Sequence, residues 1–267
     1  MARRPVRKLN KTAVWLLCVG IFGTISFTTI IAVEFFTRWQ DEVYYASLLL
    51  APLEPEVPSP TGNSAQTPIN SSSSKQPAVA KRPDVNLQAV QKACPGAEAW
   101  IRIDGTVIDY PIMLGPDNDY YLTRLPNGKS SKNGSIFMDY RNAADFSGQH
   151  TLIYGHNMKS GAMFGGLRNY GKQSFYDNHP TASIFTPNKN YKVLLFAGYR
   201  LNPAVEMLPL GFNNTEALNK YVQDVKKRSL FKSDVEVSAG DRLVSLATCE
   251  YSIKNGRLVL IGKLVGL

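Results

Sequence analysis

Cys249 is the residue of this sequence whose type and position best fit a nucleophile. It ends the apolar segment 243–248, which predicts a strand that would hold a reactive thiol rigidly. A thiol in water is mostly protonated at neutral pH, so nucleophilic chemistry needs a histidine or a cation beside the sulfur. The search for a site therefore turns on which His and Arg residues the fold can bring to Cys249.

The other two cysteines offer an alternative reading. Cys18 lies in an apolar N-terminal run, whereas Cys94 precedes a Pro-Gly pair ahead of the predicted strands. Outside the cytosol, Cys94 and Cys249 could form a disulfide. In that case the chain would be a non-catalytic surface module.

His156 is the histidine with the most favourable context. It closes a predicted strand, and Gly155 before it would permit a sharp turn after the strand. The ends of strands that open into loops are common places for catalytic side chains. His150 and His179 lie in loop-like contexts, which predict solvated surface histidines.

Arg257 is the candidate cation. The strand that ends at Cys249 and the strand that begins at Arg257 are joined by residues 250–256. If these strands pair as an antiparallel hairpin, Cys249 and Arg257 face each other with Cβ atoms about 5 Å apart. The guanidinium could then stabilise an oxyanion at a carbonyl attacked by Cys249, although an ordinary arginine at the rim of the fold is the alternative.

The part of the chain that positions these residues is rich in predicted strands. Helical pattern is scarce, and its best case is residues 215–228, with Asn213 or Asn214 as the N-cap. Asp104-Gly105 is a strong hairpin signal. Many short strands favour a barrel or a sandwich that carries a few helices. The predicted strands are residues 100–103, 106–110, 135–138, 151–154, 182–186, 191–199, 242–248 and 257–265.

The N-terminal third predicts a membrane anchor. Residues 1–12 hold five basic residues and no acid, and residues 13–33 form an uncharged run of 21. A helix of that length spans about 30 Å, so we expect an uncleaved signal-anchor with a cytoplasmic N-terminus, rather than a buried core helix. Residues 34–83 predict a juxtamembrane segment and a Pro/Ser-rich linker, which leaves residues 84–267 as an extracellular catalytic domain.

Composition and motifs exclude several classes of function. Five of the nine net positive charges lie in the N-terminal tail, which argues against a nucleic-acid partner for the folded part. Three cysteines in 267 residues exclude a disulfide-stapled scaffold. The sequence has no Cys-x-x-Cys, no His-x-x-x-His, no Walker loop and no Gly-x-Gly-x-x-Gly, so neither a metal nor another cofactor is expected.

Taken together, these features resemble the sortases of Gram-positive bacteria. The family pattern is a Thr-Leu-x-Thr-Cys strand followed by Arg, and here Ser245 replaces the first Thr in the segment that ends at Cys249, with Arg257 downstream. Further stretches resemble class B sortases in particular. They are residues 117–122, 134–142, 154–158 and 163–167, together with Glu250 directly after Cys249.

The resemblance implies a mainly β fold, a sortase-type closed β-barrel of about eight strands with a few added helices. Residues 84–93 would form the first added helix and residues 215–228 the second, and the transmembrane helix 13–33 would precede the domain. The implied activity is that of a cysteine transpeptidase. It cleaves a C-terminal sorting motif of a secreted protein after Thr through a thioester, and then transfers the protein to an amine of a peptidoglycan precursor or a pilin lysine.

The resemblance also implies roles for individual residues. His156, Cys249 and Arg257 would be catalytic. Asn118, Tyr154, Ala247, Thr248 and Glu250 would bind substrate, with Ala247 at a position that is often Ser in this class. Class B members are associated with Asn-Pro-x-Thr-type motifs and haem-uptake proteins, and some assemble pili. A cell-surface cysteine peptidase, in which water resolves the thioester, is the alternative enzyme.

Overall fold

The structure is a computed structural model that describes residues 11–49, 85–250 and 256–267, with backbone alone for residues 11–28 and Glu250. Nearly all of the predicted basic tail, and most of the predicted linker, lie outside the described residues. The chain divides into two compact units, Met1–Ala46 and Ser47–Leu267.

The first helix, α1, covers Lys11–Leu49 and has 39 residues. Within the described residues we find no helix with a stretch both long enough and apolar enough to cross a membrane. Most side chains of the predicted membrane segment, residues 13–33, lie outside the described part of the chain.

The second unit is built on a closed eight-stranded barrel, as the resemblance implies. Its strands are β1 (Ala97–Arg102), β2 (Asp109–Leu114), β3 (Ile136–Met138), β4 (His150–Tyr154), β5 (Thr181–Phe185), β6 (Asn190–Leu201), β7 (Arg242–Glu250) and β8 (Gly256–Gly266). Around the barrel their order is β1-β2-β3-β4-β7-β8-β6-β5, and β5 closes onto β1. Two neighbouring pairs are parallel, β2 with β3 and β4 with β7, and the others are antiparallel.

The predicted hairpin at Asp104-Gly105 joins β1 and β2, and Gly105 has the positive φ of +74° that its turn requires. The loop between the strands is longer than predicted, since β2 begins only at Asp109. Within this loop, the Ile103 N–H donates to the Ile108 carbonyl. Asp109 is buried and accepts hydrogen bonds from Trp100 and Arg102, so its charge is paired inside the barrel wall.

In the described part of the second unit, three shorter α-helices accompany the barrel: α2 (Leu87–Ala93), α3 (Gln173–Asn178) and α4 (Thr215–Lys227). The cap of α4 is as predicted, since the Asn214 side chain accepts a hydrogen bond of 2.8 Å from the Ala217 N–H. The helix buries Leu218, Val222 and Val225 against the outer face of β6, β7 and β8. Helix α3 is not predicted by the sequence, because its six residues are too few to show a helical period.

The prediction for His150 is wrong, because this residue is fully buried. It begins β4 rather than lying in a loop, and it pairs with Leu243 of β7. Its Nε2 atom lies 2.7 Å from the hydroxyl oxygen of Ser245, and its ring stacks on Phe212 at a centroid distance of 6.1 Å. Burial lowers the pKa of His150 from its ordinary 6.5 to about 4, so the ring is neutral near pH 7.

This burial makes the stability of the barrel depend on pH. In the unfolded chain His150 gains a proton as the pH falls through 6.5, whereas in the folded protein it does so only near 4. Between these values the unfolded state binds more protons, so the free energy of unfolding must fall as the pH falls. We expect His150 to account for a loss of about 3 kcal/mol, measurable by equilibrium urea unfolding across that range.

A His150→Gln variant should flatten this slope, whatever its effect on stability at pH 7. The half-exposed His179 provides the matched control, because its Nδ1 atom contacts the Phe175 carbonyl near the surface. The pH slope of His179→Gln, the same change at a half-exposed histidine, is the baseline for the comparison. An identical pH slope in wild type and His150→Gln would contradict the assignment.

Candidate active site

The proposed catalytic residues lie where β4, β7 and β8 end side by side in the barrel. Strand β7 lies between the other two, parallel to β4 and antiparallel to β8. Cys249 is paired directly with Arg257 in the β7–β8 ladder, as the hairpin hypothesis predicts. Both side chains are half-buried, and the Arg257 Nη1 atom donates to the carbonyl of Gly256 at 3.1 Å.

Hydrogen bonds that continue the β4–β7 pairing beyond Tyr154 tie the backbone around His156 to the segment that ends at Cys249. The N–H of Gly155 donates to the Ala247 carbonyl at 3.2 Å, and the Thr248 hydroxyl donates to the Gly155 carbonyl at 2.7 Å. The Asn157 amide then donates to the Cys249 carbonyl at 2.7 Å. The residues before and after His156 are therefore both tied to the segment that ends at Cys249.

The His156 imidazole is half-buried and contacts the segment that precedes β3. Its Nε2 atom lies 2.6 Å from the carbonyl oxygen of Leu122, in the 3₁₀ helix Tyr120–Thr123. A carbonyl oxygen only accepts, so Nε2 carries the proton of this bond. The nitrogen left for proton transfer is then Nδ1.

Gly155 is required for space rather than for a sharp turn. Its φ is not positive, which differs from the conformational reason given by the sequence. A Cβ atom at this position would overlap the side chains of Ile136 and Phe164. The backbone before His156 can therefore pack closely against β3 and the following loop, whose Phe164 N–H donates to the His156 carbonyl at 3.0 Å.

Successive residues of β7 alternate between the two faces of the barrel wall. Ala247 shares its face with Cys249, is 2% exposed, and packs in the apolar cluster beneath α4, with Tyr154 against it. Thr248 points to the opposite face, is also 2% exposed, and uses its hydroxyl to hold Gly155. Substrate contact by Ala247 and Thr248 stays a prediction, and the side chain of Glu250 lies outside the described residues.

Asn118 and Tyr154 meet at a third side chain, Asp139. The Asn118 amide donates to the Asp139 carboxylate at 3.0 Å, and the Tyr154 hydroxyl donates to it at 3.1 Å. Asp139 follows β3 and is fully buried. Sequence reasoning assigned no role to Asp139, Asn157 or the Leu122 carbonyl. An acid directly after the apolar Ile-Phe-Met segment is the signal that could have identified Asp139.

The disulfide alternative is wrong. Cys94 and Cys249 are both present as thiols in the structure, and Cys94 is fully buried at the end of α2. Among the described residues, no group of three or more His, Cys, Asp and Glu side chains could hold a metal ion. The site therefore holds a half-buried thiol on β7 that is paired in the ladder with Arg257, and the residue after His156 is bonded to the carbonyl of the same cysteine.

Several known proteins are similar to this chain. No protein-family model matches it. Sortase B of Listeria monocytogenes serovar 1/2a is 41% identical over 181 residues, which cover 67% of this chain and 74% of that protein. The Staphylococcus aureus sortase B–substrate complex aligns with a TM-score of 0.64 and 30% identity, over 67% of this chain and 84% of that chain. A crystal structure of sortase B complexed with triglycine has a TM-score of 0.63 and 30% identity, over 68% of this chain and 86% of that chain.

The chain belongs to the class B sortases. It is accordingly a sortase-type cysteine transpeptidase, an enzyme that exchanges one peptide bond for another by way of a cysteine.

The buried position of Thr248 predicts a supporting role. Thr248→Val keeps the shape of the side chain but leaves the Gly155 carbonyl without this donor, so we expect the free energy of unfolding to fall by about 1–2 kcal/mol. We also expect a lower kcat with little change in KM, because the backbone of His156 would be held less firmly beside Cys249. Urea unfolding and steady-state kinetics with an acyl-donor peptide would measure the two effects.

Thr181→Val on β5 is the matched control for this substitution, because Thr181 is half-exposed on a strand away from β7. It should change neither quantity. A large rise in KM for Thr248→Val, at unchanged stability, would instead favour direct substrate contact.

Proposed function

We propose that this sortase cleaves a C-terminal sorting motif after Thr and transfers the resulting acyl group to an amine of the cell wall or a pilin. The observation that carries the proposal is the pairing of Cys249 with Arg257 in the β7–β8 ladder. The Asn157 amide, directly after His156, donates to the carbonyl of the same cysteine. This arrangement supports the roles of nucleophile for Cys249, acid–base group for His156 and cation for Arg257, on three adjoining strand ends.

In the first half-reaction the Cys249 thiolate attacks the carbonyl carbon of the motif threonine. The carbonyl π electrons move to oxygen and give a tetrahedral oxyanion. When the intermediate collapses, the C–N bond breaks, and His156 donates a proton from Nδ1 to the leaving amine. The Leu122 carbonyl supports this step, because it holds Nε2–H and so fixes the ring while Nδ1 gains and loses its proton.

Arg257 would bind the substrate carbonyl oxygen and stabilise the oxyanion. Its pairing with Cys249 in the ladder supports this role, because directly opposed residues of a ladder carry their side chains on the same face of the sheet. Asn118, Tyr154, Ala247 and Glu250 are proposed to form the peptide-binding surroundings, the first two by hydrogen bonds from their polar side chains, while Thr248 supports the site through its hydrogen bond to Gly155.

In the second half-reaction an amine attacks the thioester carbonyl, His156 accepts its proton, and the Cys249 thiolate leaves. One amide replaces another, so the reaction needs no external energy source. That a related sortase B has been solved with triglycine supports a glycine-type amine as a test acceptor here. Water must be kept from the thioester for transfer to exceed hydrolysis.

The proposed location is the outer face of the cell membrane. The 21 uncharged residues 13–33 and the basic residues before them support a single-pass anchor with a cytoplasmic N-terminus. Residues 34–83 would then act as a tether. Tethering would raise the effective concentration of membrane-bound substrates, so a weak affinity for the motif could suffice.

The test is to incubate the purified protein with a library of Asn-Pro-x-Thr-type peptides, with and without triglycine. We expect a Cys249 acyl adduct by intact-protein mass spectrometry, and a joined peptide–triglycine product when the amine is present. Cleavage without joining at any amine concentration would favour the peptidase alternative. The absence of any acyl adduct across the library would overturn the proposal.

A further inference from the structure

Asp139 is a fully buried carboxylate directly after β3, and it accepts five hydrogen bonds. Its Oδ1 atom accepts from the backbone N–H of Arg141 at 3.1 Å and from the Arg141 Nε at 2.8 Å. Its Oδ2 atom accepts from the Arg141 Nη2 at 2.8 Å, the Asn118 amide at 3.0 Å and the Tyr154 hydroxyl at 3.1 Å. A buried group with this many donors holds each donor in one orientation.

The carboxylate is ionised. Burial acts to raise the pKa of Asp139, but the hydrogen bonds from Arg141 and Asn118 and the charge of Arg141 outweigh burial and hold the pKa below its ordinary value. Arg141 is 40% exposed and forms a two-pronged ion pair with Asp139. Asp139 is therefore an anion that is fixed by the Arg141 guanidinium. Asn118 and Tyr154 donate the other side-chain hydrogen bonds to its carboxylate.

For Asn118, this arrangement decides which way the amide points. The side-chain nitrogen faces Asp139, and the side-chain oxygen accepts from the Tyr140 N–H at 3.1 Å. Rotating the amide by half a turn would set oxygen against carboxylate and N–H against N–H. The second N–H of Asn118 is consequently fixed in direction as well.

For Tyr154, the hydroxyl donates its hydrogen bond to the carboxylate, which leaves the lone pairs of the phenol oxygen to face elsewhere. Burial and the neighbouring Asp139 charge raise the pKa of Tyr154, so the phenol stays protonated. Tyr154 is paired with Ala247 of β7, two residues before Cys249, and Cys249 is paired with Arg257, so Tyr154 lies on the same part of the barrel wall as this pair.

We propose that Asp139 is a positioning residue, a buried anion that holds Asn118 and Tyr154 in the orientations in which they bind the acyl-donor peptide beside Arg257. The inference rests on the proposed function of the site. Asp139 itself, being fully buried behind these side chains, does not touch the substrate.

Asp139→Asn tests the proposal, because it keeps the size of the side chain and removes the charge. We expect kcat/KM for acylation of Cys249 by the peptide to fall about 10- to 100-fold, mainly through KM. Alkylation of Cys249 by iodoacetamide does not require a bound peptide, so its rate should change less than about twofold. Fully buried Cys94 does not compete for the reagent. Asp145→Asn, the same change at an exposed acid a few residues later, is the matched control and should leave both rates unchanged.

A merely structural role would not reproduce the coupling expected between these residues. In a background of Asn118→Ala and Tyr154→Phe, Asp139→Asn should lower acylation by less than about a further twofold, since the side chains through which it acts are gone. An additive loss in that background would overturn the proposal. If Asp139→Asn loses both peptide acylation and iodoacetamide reactivity, Asp139 is needed for the fold of the site as a whole. That result would also overturn the proposal.

If Asp139→Asn does not fold, Arg141→Gln takes its place. This change keeps Asp139 and both partner side chains but removes the charged fork that fixes the carboxylate. We expect acylation to fall about tenfold with alkylation unchanged, and full acylation would contradict the proposal. If the wild-type protein itself forms no acyl adduct with any peptide, the proposed function fails, and Asp139 loses its role with it. If wild type acylates and Asp139→Asn acylates equally well, only the present inference fails.

Discussion

Cys249→Ala is expected to abolish both cleavage and transfer, with a loss of at least about 10⁴-fold in kcat/KM. The reason is chemical, since the proposed route passes through a bond between the Cys249 sulfur and the acyl group, and Ala has no atom that can form it. Intact-protein mass spectrometry should show no adduct after incubation with peptide. Product analysis in the presence of triglycine should show no joined product.

The fold should survive this substitution. Cys249 is half-buried at the penultimate position of β7, where it faces Arg257, and Ala keeps the backbone pairing of the strand. We expect the free energy of unfolding to change by no more than about 0.5–1 kcal/mol, measured by urea unfolding.

Cys94→Ala is the control for Cys249→Ala. It removes the other thiol of the folded domain, which is fully buried at the end of α2. It should lower stability somewhat, because a buried sulfur is lost, and keep acylation at the wild-type level. If Cys94→Ala loses the adduct and Cys249→Ala keeps it, the assignment of the nucleophile is wrong.

The strands of the barrel could be predicted because their signals are local. Alternating or continuous apolar runs mark all eight strands within a few residues, and the Asn214 cap marks the start of α4. The pairing of Cys249 with Arg257 was also accessible, since a short connection between two strands restricts them to a hairpin.

The rest of the site depends on contacts that no local pattern specifies. Asn118 and Asp139 are 21 residues apart, and Asn157 reaches a carbonyl 92 residues away, so neither contact can be derived from spacing. The burial of His150 also depends on a contact that no local pattern specifies. Its Gly-Gln-His context looks exposed, but Phe212 covers it from a distant segment. Burial of a polar side chain is a property of the assembled fold, and for that reason the sequence alone misassigned this residue.

The role proposed for Arg257 rests on its position as well as on its charge. It lies opposite Cys249 across the β7–β8 ladder, and Tyr154, whose hydroxyl is held by Asp139, is paired with Ala247 two residues before Cys249. A guanidinium in this position offers several N–H donors in one plane. It can bind the substrate carbonyl oxygen and the growing negative charge on it at the same time.

Arg257→Lys therefore tests shape as well as charge. Lysine keeps the positive charge, but its ammonium is a point donor and cannot reproduce the planar fork, so we expect acylation to slow by about 10²–10³-fold in kcat. Single-turnover formation of the Cys249 acyl adduct would measure the effect directly. Arg200→Lys, at an exposed arginine of β6 paired with Leu258, makes the same change outside the proposed site and should be silent. A near-normal acylation rate for Arg257→Lys would mean that a diffuse positive charge suffices, and Arg257 would then have no part in binding the oxyanion through its donors.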